Sequence, residues 1–231
     1  MKLLIIAATE REVESSRSRL SSNRNIQWLI SGPGMMATAY HVGQALASRK
    51  PDLVVNAGVC GSFGEELKPE AVVNVVEETV ADLGAEDGDN LQSVFDLDLQ
   101  GLNQRPFTNG RLINPHHSPF ASLEQLARVR GISVNSVSGR TDTIERLRVT
   151  HDPDVESMEG AAVFYACLMA GVPFLEVRAV SNYVEQRNRD AWKLDDAIRN
   201  LNEWLLTFID EIHSRPVDRV LSQPETLKPE T

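Results

Sequence analysis

Short apolar runs alternate along the chain with stretches whose hydrophobic residues recur every three or four positions. Leu3 to Ala8, Ile26 to Ile30, Leu53 to Asn56, Val72 to Val76 and Phe174 to Val180 are predominantly apolar runs, the pattern of strands mostly buried on both faces. Between them, Met35 to Arg49, Met158 to Ala170 and Asp190 to His213 carry helical spacing. In the last, Leu194, Ile198, Leu201, Leu205, Phe208 and Ile212 fall on one stripe and are predicted to be core. Such alternation predicts an α/β sheet with helices packed on its faces. Residues 84–120 are rich in Gly, Asp, Asn and Pro, which predicts loops around short elements, and a loop of that length often covers a site. From Arg215 onward, three prolines and alternating charges predict a poorly ordered tail over 215–231, leaving 1–214 as one domain with no repeat or linker.

Composition narrows the picture. At 231 residues the chain lies below the size at which a single core stops growing. It is 42% hydrophobic and 24% charged, and 23 Lys and Arg against 33 Asp and Glu give a net charge of −10. That balance argues against nucleic-acid and anionic-membrane partners, which need basic clusters. Two cysteines in apolar surroundings, Cys60 and Cys167, form no disulfide framework and fit a reducing compartment. The first apolar run is too short for a signal segment or a membrane span, so a cytoplasmic protein is expected.

Five stretches carry candidate chemistry. Thr9 with Glu12 has the spacing of a capping box, and a carboxylate at the carboxyl end of a strand can also take a proton from water. Ser31-Gly32-Pro33-Gly34-Met35-Met36-Ala37 imitates a dinucleotide fingerprint, but Asp52 precedes its strand where the fingerprint needs an acid after one. What remains is close backbone approach and a helix start that favours oxygen-rich groups. Asn56 to Ser62, with Cys60 and Gly61, leaves its strand through small residues against which a flat ring could lie; a tight turn explains it as well. Asp154 to Ala162 brings acids into a helix. Helix-start acidity accounts for Glu156, whereas Glu159 is flanked by apolar chain and needs donors, which a sugar diol would supply.

A fifth stretch, Arg178-Ala179-Val180-Ser181-Asn182-Tyr183, turns polar at the end of a buried strand, the ligand edge of such sheets. Trp192, near the start of the final helix, would be either core or a lid over a flat ring. The adjacent His116 and His117 lack the spacing of a zinc pair, and His41, His151 and His213 are isolated, so neither metal nor cofactor is expected.

Taken together, these segments resemble the purine nucleoside phosphorylase and nucleosidase superfamily over most of residues 1–214. The Ala-Thr-Glu-Arg-Glu-Val start, the Ser-Gly-Pro-Gly turn, Asn-Ala-Gly-Val-Cys-Gly, Met158-Glu159 and Arg-Ala-Val-Ser-Asn look like its nucleosidase branch. Glu156 to Ala162 and Ser181 to Trp192 are most similar to the futalosine hydrolase family, which releases hypoxanthine from futalosine in the alternative menaquinone pathway. The resemblance implies a three-layer sandwich around a mixed, mostly parallel sheet, a small-molecule nucleoside as partner, and a homo-oligomer, a dimer or larger. It makes Glu12 the base that activates water and Glu159 the acceptor for ribose hydroxyls, with Met158 under the sugar. Arg178 and Ser181 support the site, the backbone near Gly61, beside Cys60, lines the purine side and Asn182 faces the base.

Two departures from the wider superfamily shape this reading. Related hexameric phosphorylases hold phosphate with a Gly-Asp-Pro segment and nearby arginines where this chain reads Ala-Ala-Thr-Glu, and a carboxylate there repels phosphate. Asn182 stands where adenine-releasing nucleosidases have an aspartic acid. An amide offers two donors, suited to N7 and the oxygen of a 6-oxopurine. The competing readings are a methylthioadenosine or S-adenosylhomocysteine nucleosidase, a nucleoside phosphorylase, and a non-catalytic nucleoside-binding protein.

Overall fold

The computed structural model describes residues 1–88, 90–116 and 120–214. Its strands are β1 (Leu3–Ala7), β2 (Ile26–Ile30), β3 (Leu53–Ser62), β4 (Val72–Val80), β5 (Gly84–Asp87), β6 (Asn90–Ser93), β7 (Leu112–Ile113), β8 (Ala127–Ser133), β9 (Val155–Ser157) and β10 (Phe174–Tyr183). The helices are α1 (Glu10–Arg19), α2 (Met35–Arg49), α3 (Ala121–Glu124), α4 (Thr141–His151), α5 (Gly160–Ala170) and α6 (Leu194–Ser214). The predicted tail, 215–231, and His117 lie outside the described residues.

Period-two geometry explains why β1 is continuously apolar. Leu3 and Ile5 of β1 join a core shared with α1 and α6, whereas Leu4 and Ile6 join a second core shared with α2 and α5. The sheet is thus sandwiched between two helical layers, as the family resemblance implies. Its pairings are mostly parallel, with β4 antiparallel to β10 and β7, and β9 antiparallel to β3. One feature was not legible in the sequence. The strands β10, β4, β8, β9 and β3 pair in succession and β10 returns to β3, so five strands close into a ring from which β1 and β2 extend.

Several boundaries differ from the sequence reading, β4 and β10 running on to Val80 and Tyr183 among them, and three more bear on the site. The strand expected to end at Asn56 runs on to Ser62, because β10 and β9 satisfy the backbone of its small residues. Residues 155–157 are not a helix entry but a strand wedged between β3 and β8, with Glu156 opposite Gly61 and Val155 opposite Gly131. Three residues carry no readable period. Consequently α5 starts at Gly160 with Glu159 as its N-cap. Likewise, the final helix starts at Leu194 rather than Asp190, after a single 3-10 turn over Arg189–Ala191. Among the described residues no helix is long and apolar enough to cross a membrane.

Candidate active site

The capping box forms, and it also places the first acid of the site. Glu12 Oε2 accepts the Thr9 N–H at 2.8 Å and the Thr9 hydroxyl at 3.0 Å, while Oε1 accepts the Val59 N–H at 3.2 Å. The side chain is 7% exposed. Its own carbonyl accepts from Asn202 Nδ2 at 2.8 Å, a buried amide of α6 whose Oδ1 takes the Ser16 N–H and hydroxyl. α1, and with it Glu12, is thereby fixed to α6.

A second acid arrives through a glycine turn. Gly34, at φ 87°, is the N-cap of α2 and donates its N–H to Glu159 Oε1 at 2.9 Å. The backbone donor that the sequence offered to a ligand is therefore used by the chain's own carboxylate. Glu159 Oε2 lies 3.7 Å from Arg178 Nη1, and Arg178 Nε donates to Glu176 Oε1 at 2.7 Å. Burial works against the charge of Arg178, but the carboxylates of Glu176 and Glu159 outweigh it and raise its pKa. A methyl group on Gly58 would overlap Arg178 Nη1 and sit 2.9 Å from Glu12 Oε1. The guanidinium and the carboxylate thus converge over a bare stretch of β3.

The third group rides on a β-bulge. Val180 pairs with Cys60 and Asn182 with Gly61, so Ser181 is an extra residue in β10. Two consecutive side chains, Ser181 and Asn182, consequently line one cavity, which an unbroken strand does not allow. Ser181 Oγ donates to Asn182 Oδ1 at 2.7 Å, and Asn182 Nδ2 donates to the Tyr183 carbonyl at 2.8 Å. That carbonyl can only accept, so the amide orientation is determined. It also corrects the sequence argument: one of the two amide N–H groups is taken, and one is free for a base.

Glu12, Glu159 and Asn182 meet at a cavity of about 430 Å³ whose wall also contains Met158, Cys60, Gly61, Ser181 and Trp192. Arg178 is behind the wall, 1% exposed, and acts on the cavity through Glu159 and Glu12. Burial pushes the Cys60 thiol up to about 12, which leaves it a neutral small wall residue. Trp192 sits in extended chain ahead of α6 with the Arg187 guanidinium 5.9 Å from its ring centre. Leu194 and Ile198, the first rungs of the stripe predicted to be core, are part of the cavity wall. Residues 84–120 contribute no wall residue among those described, because the segment folds as a hairpin and turns over the β4 side of the molecule.

The roles of two acids escaped the sequence reading. Glu156, read as helix-start acidity, lines both this cavity and a smaller neighbouring one, and accepts from Ser138 N–H at 2.9 Å and its hydroxyl at 2.5 Å. Burial raises its pKa despite those bonds. Glu176 was hidden within an apolar run, although its i, i+2 spacing from Arg178 puts the two on one face of a strand. That spacing was the available signal.

Sequence comparison places these features in a family. A sequence profile of the phosphorylase superfamily matches residues 16–210. The chain belongs to the phosphorylase superfamily. Within the superfamily, a futalosine hydrolase of Streptomyces coelicolor is 35% identical over 162 residues, 69% of this chain and 66%, just under two thirds, of that relative. A futalosine hydrolase of Acidothermus cellulolyticus is 30% identical over 87% of both chains. Among solved superfamily folds, the futalosine hydrolase of Helicobacter pylori matches 91% of this chain and 98% of its own with a TM-score of 0.75 at 16% identity. A methylthioadenosine/S-adenosylhomocysteine nucleosidase of Colwellia psychrerythraea, in complex with adenine, matches 91% and 95% with a TM-score of 0.75 at 20% identity.

Proposed function

We propose that the chain is a futalosine hydrolase: it cleaves the N-ribosidic bond of futalosine with water and releases hypoxanthine. The observation that carries this reading is the convergence of Glu12, Glu159 and Asn182 on one cavity. Water attacks the anomeric carbon while the bond from that carbon to the purine nitrogen breaks, and Glu12 takes the proton that water loses. Positive charge develops on the sugar, where the negative charge of Glu159 favours it and its oxygens hold the ribose hydroxyls. The departing purine gains electron density and meets the free N–H of Asn182. An amide is no acid, so the base leaves as a hydrogen-bonded anion or takes its proton from solvent.

Water rather than phosphate is the supported nucleophile. The Gly34 N–H, a natural oxyanion donor, is bonded to Glu159, and two carboxylates border the space that phosphate would enter. Arg11, the one cation on the cavity wall among the described residues, pairs with Asp195 at 2.6 Å and would exchange that exposed partner for the carboxylate tail of the substrate. Arg140 is exposed, paired with Asp142 and absent from that wall. Two free, buried cysteines are in keeping with the cytoplasm. Homo-oligomer formation is supported by an apolar groove between α2 and α5, where Met36 is 85% exposed and Tyr165 and Met169 also face outward. A second copy of the chain is its proposed occupant, to be checked by light scattering.

The deciding experiment incubates the protein with futalosine, inosine and methylthioadenosine, with and without phosphate, and identifies the free base. Hypoxanthine from futalosine, at a rate independent of phosphate, is expected. Adenine release alone would assign a methylthioadenosine/S-adenosylhomocysteine nucleosidase, phosphate dependence a phosphorylase, and no free base a binding protein.

A further inference from the structure

The interior of the strand ring holds two carboxyl groups that the reaction does not touch. Glu78 on β4 and Glu176 on β10 are both 0% exposed. A methyl group on Gly160 would collide with Glu78 Oε1 and come within 2.6 Å of Glu176 Oε1, so the two acids lie together under the first residue of α5. Their partners differ. Glu176 Oε1 accepts from Arg178 Nε at 2.7 Å, whereas Glu78 Oε2 accepts only from the Ser133 hydroxyl at 2.9 Å. Among the described residues no group hydrogen-bonds Glu78 Oε1 or Glu176 Oε2, and the buried Asn56 amide lies near enough to Glu176 to favour its ionised form. Two buried carboxylates beside a single guanidinium do not both ionise, and a proton on Glu78 turns an orphaned acceptor into a donor.

We propose that the pair holds one proton, on Glu78, and that the ionised Glu176 is a positioning residue that aims the Arg178 guanidinium at Glu159 and Glu12. The proposal rests on the reading of this cavity as a nucleosidase site. Burial and the neighbouring Glu176 push Glu78 well above its ordinary 4.5, while burial raises Glu176 and Arg178 draws it back. The other titratable groups that act on the pair are Glu159 at the head of α5, Cys60 on β3 and Cys167 on α5. Both thiols are neutral because burial raises their pKa. The charge balance is therefore set by Arg178 and three carboxylates, Glu12, Glu159 and Glu176, around a neutral Glu78.

This assignment makes two near-identical substitutions behave differently. Glu78→Gln replaces a neutral acid by a neutral amide and leaves kcat close to that of the parent. Glu176→Gln removes the counter-charge, lets the guanidinium move, and lowers kcat by about 10²-fold, with a smaller change in KM. The test measures both variants of the full chain with futalosine and records the infrared spectrum at neutral pH. The parent is expected to show the C=O stretch of a protonated, buried carboxylic acid that Glu78→Gln abolishes. Equal losses of kcat in the two variants, or a parent spectrum without that band, would overturn the proposal. If Glu176→Gln does not fold, Glu78→Gln and the spectrum still decide. The infrared arm needs no substrate, so a parent that released no hypoxanthine would sink the functional reading and leave the proton assignment separately readable.

Discussion

The Glu12 carboxylate caps α1 through one oxygen and meets the Val59 N–H with the other, so removing its charge and removing its shape are different experiments. Glu12→Gln keeps an acceptor in the capping box but cannot take a proton. Its kcat is expected to fall by roughly 10²- to 10⁴-fold with KM little changed, as steady-state kinetics would show. A variant with nearly normal turnover would return Glu12 to a purely structural role. Asn182 is expected to govern which base is accepted. Asn182→Asp should move the ratio of kcat/KM values from hypoxanthine release toward adenine release by about 1–3 kcal/mol, the worth of one mismatched buried hydrogen bond. The single free N–H, in place of the two that an amide offers, puts that shift toward the lower end.

At the scale of elements, the long buried strands and the final helix were legible because their periods are strong: β1, β2 and the starts of β3, β4 and β10 were all visible as apolar runs. Elements whose burial is supplied by neighbours were not. β8 carries Arg128, Arg130 and Gly131 and has no clean alternation, and β9 spans three residues. The site was legible where chemistry breaks an apolar pattern, as at Glu159 and at Ser181-Asn182. It was hidden where one side chain reaches across the sequence, as with Asn202, which joins residues 186 and 190 positions away. Asn202 predicts an element-level effect. Asn202→Leu leaves the Glu12 carbonyl and the Ser16 N–H without their partner, and is expected to cost about 1–3 kcal/mol in denaturant unfolding. It should also lower kcat through Glu12, although the residue lies outside the cavity.

For the molecule as a whole, the protonated pair inside the ring has a consequence for stability. An acid whose folded pKa is raised binds more protons folded than unfolded, so its favourable contribution is complete below the ordinary 4.5 and is lost as pH rises through the folded value. Glu78→Gln has no such proton to lose. Its Tm, followed by calorimetry, is expected to vary less between pH 5 and pH 9 than that of the parent, and an unchanged pH slope would argue against a raised Glu78. The ring itself reaches further. β3 and β10 lie within it: Gly61 is paired with both β10 and β9, and β10 with both β3 and β4 as far as Ala179, so the strands that deliver Cys60, Gly61 and Asn182 have no free edge over most of their length from which to fray. Their amide hydrogens should trade with deuterium only when the entire domain opens, so that this protein surrenders its reactive centre and its architecture in a single event.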